Sequence, residues 1–174
     1  MQHDPTSRVT VRRARIADVR KIKALVDADA GRVLLEKDLV TLYENVQEFW
    51  VADAGEEILG CGALHVLWED LAEVRTVAVD KAARGHGIGH ALVGRLVALA
   101  VELGLRRIFV LTFETKFFAR HGFVEIDGTP VSAAVYQEIR RSADEGVAEF
   151  LDLPYVKPNT LGNSRMLLEL PLTR

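Results

Sequence analysis

Three glycines alternate in Arg84-Gly85-His86-Gly87-Ile88-Gly89, directly ahead of a run with helical apolar spacing. Glycine lets a backbone turn through positive φ and lets a ligand approach closely. The first amides of a helix lack intrahelical partners, and the helix dipole favours an anion there. Arg84 adds a cation that can pair with phosphate. The segment has the chemistry of an anion cradle, although three glycines can also make a plain flexible loop. Two familiar phosphate loops are excluded by spacing. A Walker A loop needs Gly-Lys-Ser/Thr, which is absent. A dinucleotide fingerprint needs a glycine three residues after its second one, where this chain has His90 or Leu92. ATP and NAD are therefore poor candidates.

Upstream, Glu73 and Arg75 are two residues apart in a β-branched segment, so as part of a strand they share one face. A carboxylate and a guanidinium there can act as base and anion holder, or form a solvated ion pair of little energetic weight. Cys61, between Gly60 and Gly62, reads as a small packed residue. His65, His86, His90 and His121 do not have metal-ligand spacing, so no metal is expected.

The elements that must position these residues follow from periodicity. Val9–Arg13 alternates as a first strand. Asp18 is placed to cap a helix whose Val19, Ile22, Leu25 and Val26 share a face, with Gly31 interrupting it. Lys37–Gln47 suggests a second helix with Leu39, Leu42, Tyr43 and Val46 inward. Glu48–Ala52 and Ile58–Trp68 form a hairpin about Asp53-Ala54-Gly55-Glu56. Glu73–Val79 is a strand, 80–87 a loop, and Ile88, Leu92, Leu96, Leu99 and Leu103 a helical stripe that Gly104 ends. Arg107–Thr112 is nearly all apolar, as in a doubly covered strand parallel to Glu73–Val79. A short helix at Thr115–His121, a strand at Phe123–Ile126 and a helix from Pro130 to about Ser142 come next. Asp152–Asn163 reads as irregular, and a final strand covers Arg165–Leu170.

The chain has 174 residues, 49% hydrophobic and 27% charged, which suits a single domain spanning 1–174 with residues 1–7 flexible. One cysteine excludes an intrachain disulfide, and a net charge of −3 argues against sequence-independent nucleic-acid binding. No apolar run approaches the ~20 residues of a membrane span. A cytoplasmic protein with no membrane partner is expected.

The loop and its preceding strand, Val77-Ala78-Val79, resemble motif A of the GNAT superfamily of N-acetyltransferases. A second landmark is Phe117-Phe118-Ala119-Arg120-His121-Gly122-Phe123. With the element order, the likeness spans nearly the whole chain. It implies an α/β (α+β) fold: a mixed, mostly antiparallel sheet with a splayed central parallel pair and flanking helices. It also implies acetyl-CoA as co-substrate, contacted by Val77, Ala78 and Val79, by Arg84, Gly85, His86, Gly87, Ile88, Gly89 and His90, and by Phe117 and Arg120. Arg120 can instead simply cover the surface. Phe118 stands where many members carry a tyrosine that protonates the leaving thiolate. Either another group donates, or the thiolate leaves unaided.

A narrower resemblance is to the acetyltransferase domain of N-acetylglutamate synthases, especially the short stand-alone actinobacterial form. It rests on Leu34-Leu35-Glu36-Lys37, Ala72–Val79, Ile108–Thr112, 117–123 and Asn163–Leu168. It implies acetyl transfer to the α-amine of L-glutamate, the opening step of arginine biosynthesis. Lys37 falls at a position binding a substrate carboxylate, Glu73 at that of a proposed base, and Thr112 at that of an assisting hydroxyl. Arg75 would add a second cationic contact to the diacid. Lys37 can also be an ordinary surface lysine and Thr112 a capping hydroxyl, while Glu114 is a rival base or a helix-start residue. Glutamine, a peptide N-terminus or a polyamine are alternative acceptors, and a coenzyme A sensor without turnover is an alternative class. The exposed edge strands of this fold leave a homodimer open.

Overall fold

The computed structural model describes residues 8–29, 37–152 and 162–171. Gly31, Leu34-Leu35-Glu36 and most of Asp152–Asn163 lie outside the described residues. The strands are β1 (Thr10–Arg13), β2 (Phe49–Asp53), β3 (Ile58–Trp68), β4 (Leu71–Val79), β5 (Arg107–Thr112), β6 (Val124–Ile126) and β7 (Ser164–Glu169). The helices are α1 (Val19–Asp29), α2 (Leu39–Glu44), α3 (Ile88–Glu102), α4 (Thr115–Ala119), α5 (Ala133–Ile139) and α6 (Glu145–Phe150). The sheet runs β1-β2-β3-β4-β5-β7-β6, and only β4 and β5 are parallel.

Alternation along the central strands sorts the core into layers. Ala72 and Val74 of β4, with Ile108 and Val110 of β5, meet Leu92, Leu96 and Leu99 of α3. Each of these Val, Ile and Leu side chains, taken out of water, contributes roughly 1.5–3 kcal/mol. Leu71 and Phe109 face the opposite way, onto Ile139 of α5 and Val147 and Phe150 of α6. Val19, Ile22 and Val26 of α1 cover Val51, Cys61 and Ala78 on that same side of the sheet. Gly60 permits the close seat of α3, since a Cβ there would lie 3.0 Å from Leu92.

Two features of β4 shape what lies beside it. Its pairing with β5 runs only from Leu71↔Arg107 to Val74↔Val110, so the parallel pair opens beyond Val74. Opposite β3, Ala63↔Arg75 is followed by Cys61↔Ala78, so β4 carries an extra residue. Thr76 sits in that bulge at φ +55, a left-handed conformation that is strained for a β-branched residue. The bulge swaps faces: Val74 packs toward α3 before it, while Val77 and Val79 do so after it.

Several expectations are corrected. Asp18 does not cap α1; it ends a 3₁₀ turn (Ile16–Asp18), its carboxylate accepting the Arg15 N–H at 2.7 Å and pairing with Arg12. The second helix stops at Glu44 and continues as a 3₁₀ turn, which leaves Tyr43 exposed rather than inward. Leu103 lies past the last turn of α3 and is exposed. The helix opened by Ser132 ends at Ile139, and α6 follows as a separate helix that periodicity does not reveal.

Candidate active site

The glycine loop delivers α3 to the mouth of the opened strand pair. Gly85 and Gly87 have φ of +83 and +79, which explains their type. Gly87 holds the N-cap position without a side-chain cap, so the first amides of α3 remain available to an anion. The free edge of β4 continues the row of donors. Asp80 N–H donates to Leu59 O of β3 at 2.8 Å, so alternation turns the Val79 and Val77 amides to the edge that β5 has left.

A cleft of about 810 Å³ runs from this loop along the β4 edge to Glu73. That volume suits a cofactor-sized ligand. Its wall includes Val77, Ala78, Val79, Arg84, Gly85, Gly87, Ile88, Gly89, His90, Phe117 and Arg120 at one end. Lys37, Glu73, Arg75 and Thr112 line the other, with Glu114 and Phe118. His86 alone among the expected contacts does not line it; its imidazole faces the Ala83 and Arg84 carbonyls of its own loop.

Arg84 is held at the loop by the Asp29 carboxylate at 3.1 Å and by the Val79 carbonyl at 3.3 Å. Asp29 is buried at the end of α1, so the loop is tied to the helix that leads toward Lys37. His90 Nδ1 and His121 Nε2 are within hydrogen-bond distance at 2.8 Å, and His90 packs on Phe117 at 4.4 Å. Burial, and then the neighbouring His90, hold the His121 imidazole below the ordinary histidine value. Gly89 leaves room for the Phe117 ring, whose atoms would lie 3.3 Å from a Cβ there. Phe118 is buried, edge-on to Phe117 and Phe123, and offers no proton.

At the far end, Glu73 and Arg75 do pair, at 2.8 Å, but as a buried pair rather than a solvated one. Arg75 Nη1 also meets Asp144 at 3.0 Å. Two carboxylates of the chain thus brace Arg75 through Nε and Nη1, while its buried Nη2 has no hydrogen-bond partner among the described residues and keeps a donor at the cleft wall. Burial pushes the Asp144 carboxyl up, but Arg75 and the Val147 N–H hold it below the ordinary aspartate value. Lys37 is half-buried and lines the cleft, so it is not an ordinary surface lysine; burial, and then the charge of Arg75, lower its ammonium from the usual lysine value. Thr112 is buried, and its hydroxyl accepts the Glu114 N–H at 2.8 Å, so it does serve as a turn hydroxyl. No acceptor for its own proton is present among the described residues. Cys61 is buried against Thr76 O, and burial pushes its thiol up to about 12, which removes it as a nucleophile.

Sequence reasoning missed three participants: Asp29, Asp144 and Glu149. Asp144 carried a readable signal, since its carboxylate caps α6 at Val147 N–H just ahead of Val147 and Phe150. Among the described residues no group of three potential ligands could hold a metal, and no helix is long and apolar enough to cross a membrane.

Comparison with known proteins agrees with this geometry. The profile of the acetyltransferase (GNAT) family matches residues 20–123. An amino-acid acetyltransferase of Mycobacterium tuberculosis is 68% identical over 166 residues, which cover 94% of this chain and 95% of that protein. A Mycobacterium tuberculosis crystal structure in complex with CoA and a second ligand is also 68% identical, with a TM-score of 0.90 over 93% of this chain and 99% of that one. N-acetylglutamate synthase from Neisseria gonorrhoeae, complexed with coenzyme A and N-acetyl-glutamate, shares the fold at 22% identity and a TM-score of 0.75, over 95% of this chain and 36% of that one. An opened β4–β5 pair, a glycine loop at the head of α3 and a profile spanning both lead to one conclusion: the chain belongs to the GNAT acetyltransferase family.

Proposed function

We propose that this enzyme transfers the acetyl group of acetyl-CoA to the α-amine of L-glutamate, giving N-acetylglutamate and CoA, as in the opening step of arginine biosynthesis. The observation that carries the reading is Lys37, a half-buried cation on the wall of the same cleft that begins at the phosphate loop. A substrate carboxylate there would relieve the burial of its ammonium. The relative of 68% identity is named for amino-acid acetylation, which supports an amino-acid acceptor. In this reading the α3 amides and Arg84 take the pyrophosphate. The Val77 and Val79 amides take the pantetheine and the thioester oxygen, where charge develops in the transition state. A carboxylate on the cleft wall takes the ammonium proton, and Thr112 offers its hydroxyl proton in the place of the absent tyrosine.

One observation favours a second acceptor. The charge of Arg75 is already balanced by Glu73 and Asp144, which leaves Lys37 as the cation without a paired carboxylate among the described residues lining the acceptor end of the cleft. An acceptor with one carboxylate, such as glutamine, fits that charge count. Thiol release from acetyl-CoA, measured side by side with glutamate, glutamine and the other amino acids, tests both. Turnover highest with glutamate supports the main reading, and turnover highest with glutamine the second. Absence of release with every amino acid would overturn both.

A further inference from the structure

We propose that Glu149, on α6, is the carboxylate that takes the proton from the acceptor's ammonium group, while Glu73 holds Arg75 in place. The inference rests on the amino-acid acetyltransfer described above. Glu149 is 7% exposed, lines the cleft, and makes no side-chain hydrogen bond or ion pair among the described residues. A buried carboxylate without a partner is costly, and such groups persist where function needs them. Glu73 differs, because its Oε2 is taken by Arg75 Nε at 2.8 Å. A proton taken up by Glu73 would neutralise the carboxylate and weaken a buried, charge-assisted hydrogen bond.

The chain fixes Glu149 from both ends of α6. At the start, Asp144 pairs with Arg75, and Gly146 lies against the guanidinium. Gly146 and Glu149 are three residues apart, so they share the helix face that meets β4. At the end, Phe150 seats edge-on against Phe109 at 4.9 Å. Arg165 Nη2 hydrogen-bonds the Phe150 carbonyl, and the Tyr136 hydroxyl donates to Leu151 O at 3.1 Å. The groups whose charges act on Glu149 are Glu73 and Arg75 of β4, Lys37 ahead of α2, and Arg165 of β7. Burial, and then the charge of Glu73, raise its carboxyl above the ordinary glutamate value, while the three cations resist. That direction suits a base working near neutral pH.

The proton balance is simple. One proton of the ammonium passes to Glu149 and later to solvent. The freed amine forms the C–N bond to the thioester carbonyl and the C–S bond breaks. The second nitrogen proton leaves as the amide forms, and the departing sulfur ends as the thiol.

The test uses Glu149→Gln, Glu149→Asp and Glu73→Gln, each assayed by thiol release with the acceptor that the wild-type enzyme turns over best. Wild-type turnover reports on the proposed function; the ratio of variant to wild type reports on Glu149. Glu149→Gln is expected to lose about 100-fold or more in kcat/KM for the acceptor. It should also lose the acidic limb of the pH profile and keep its acetyl-CoA affinity. Glu149→Asp, which keeps a carboxylate, should retain that limb at reduced kcat, and Glu73→Gln should retain it too. Thermal melting separates this from a structural role. A raised carboxyl value means that ionised Glu149 costs stability as pH rises, so Glu149→Gln should melt at or above the wild type at pH 8. Turnover of Glu149→Gln within a few-fold of wild type, or an acidic limb that persists in it and vanishes in Glu73→Gln, would overturn the proposal.

Discussion

Arg75 and Gly146 approach so closely that a Cβ on residue 146 would lie 2.7 Å from the guanidinium carbon. Arg75 cannot move aside freely, because Glu73 and Asp144 hold it at 2.8 and 3.0 Å. Gly146→Ala therefore shifts either the guanidinium or α6, and the floor of the cleft with it. Acceptor turnover should fall roughly 10–100-fold, since small misplacements near reacting groups are costly. Acetyl-CoA affinity should hold. Steady-state kinetics with calorimetric titration of CoA read both, and unchanged turnover would show that the close seat has no catalytic weight.

Lys37→Ala should raise the Michaelis constant for the acceptor by roughly 10–100-fold, the equivalent of one lost charge-assisted contact of about 1.5–3 kcal/mol. If Lys37 holds the side-chain carboxylate, the loss appears with glutamate and not with glutamine. An equal loss with both would place Lys37 on the α-carboxylate.

Arg84 sits between Asp29 and the Val79 carbonyl at the loop. Arg84→Ala should weaken acetyl-CoA binding about tenfold or more through loss of a phosphate contact. The acceptor's Michaelis constant at saturating acetyl-CoA should stay put. Calorimetry with CoA and with dephospho-CoA would show the same ratio if the lost contact is to pyrophosphate rather than to the 3′-phosphate.

Thr112 has two duties that substitution can separate. Thr112→Val keeps the shape and leaves the Glu114 N–H without its 2.8 Å acceptor, a cost of about 1–2 kcal/mol in stability. Turnover should also drop if the hydroxyl assists the leaving sulfur. Thr112→Ser should preserve both, and a Val variant with full turnover would confine the hydroxyl to the turn.

Asp18 sets an acid limit on stability. The Arg12 hydrogen bond, first among its causes, and the Arg15 N–H hold its carboxyl below the ordinary aspartate value against the opposing effect of burial. Its contribution is therefore complete above the unfolded value of about 3.9 and is lost as pH falls through the lower folded value. Asp18→Asn should cost about 1–2 kcal/mol at neutral pH, the loss of a charge-assisted hydrogen bond to a partly exposed Arg12 that keeps Asp53. The difference in melting temperature from wild type should shrink between pH 5 and the acid limit, and a constant difference would refute this.

The elements that local chemistry writes plainly were legible. The stripe Ile88, Leu92, Leu96 and Leu99, the hairpin about Gly55 and the apolar run of β5 all follow from period and punctuation. The errors arose where tertiary contacts outweighed local signals. Asp18 has the type and place of a cap, yet Arg12, a neighbour only in space, takes its carboxylate. Tyr43 and Leu103 fall on apolar stripes that the real helix ends cut short.

For the site, the sequence alone determined the glycine loop. Gly85 and Gly87 are demanded by left-handed φ, and the free amides that follow are a property of any helix start. It also placed Glu73 and Arg75 on one face, because strand alternation is local. Only the tertiary structure decided what that pair does. The sheet opens beyond Val74, Thr76 bulges, and α6 folds back with Asp144 and Glu149 from seventy residues away. Those contacts depend on packing between elements distant in the chain, which no local pattern encodes. They turn Arg75 into a braced cation and bring Glu149, a buried carboxylate without a side-chain partner among the described residues, to the cleft.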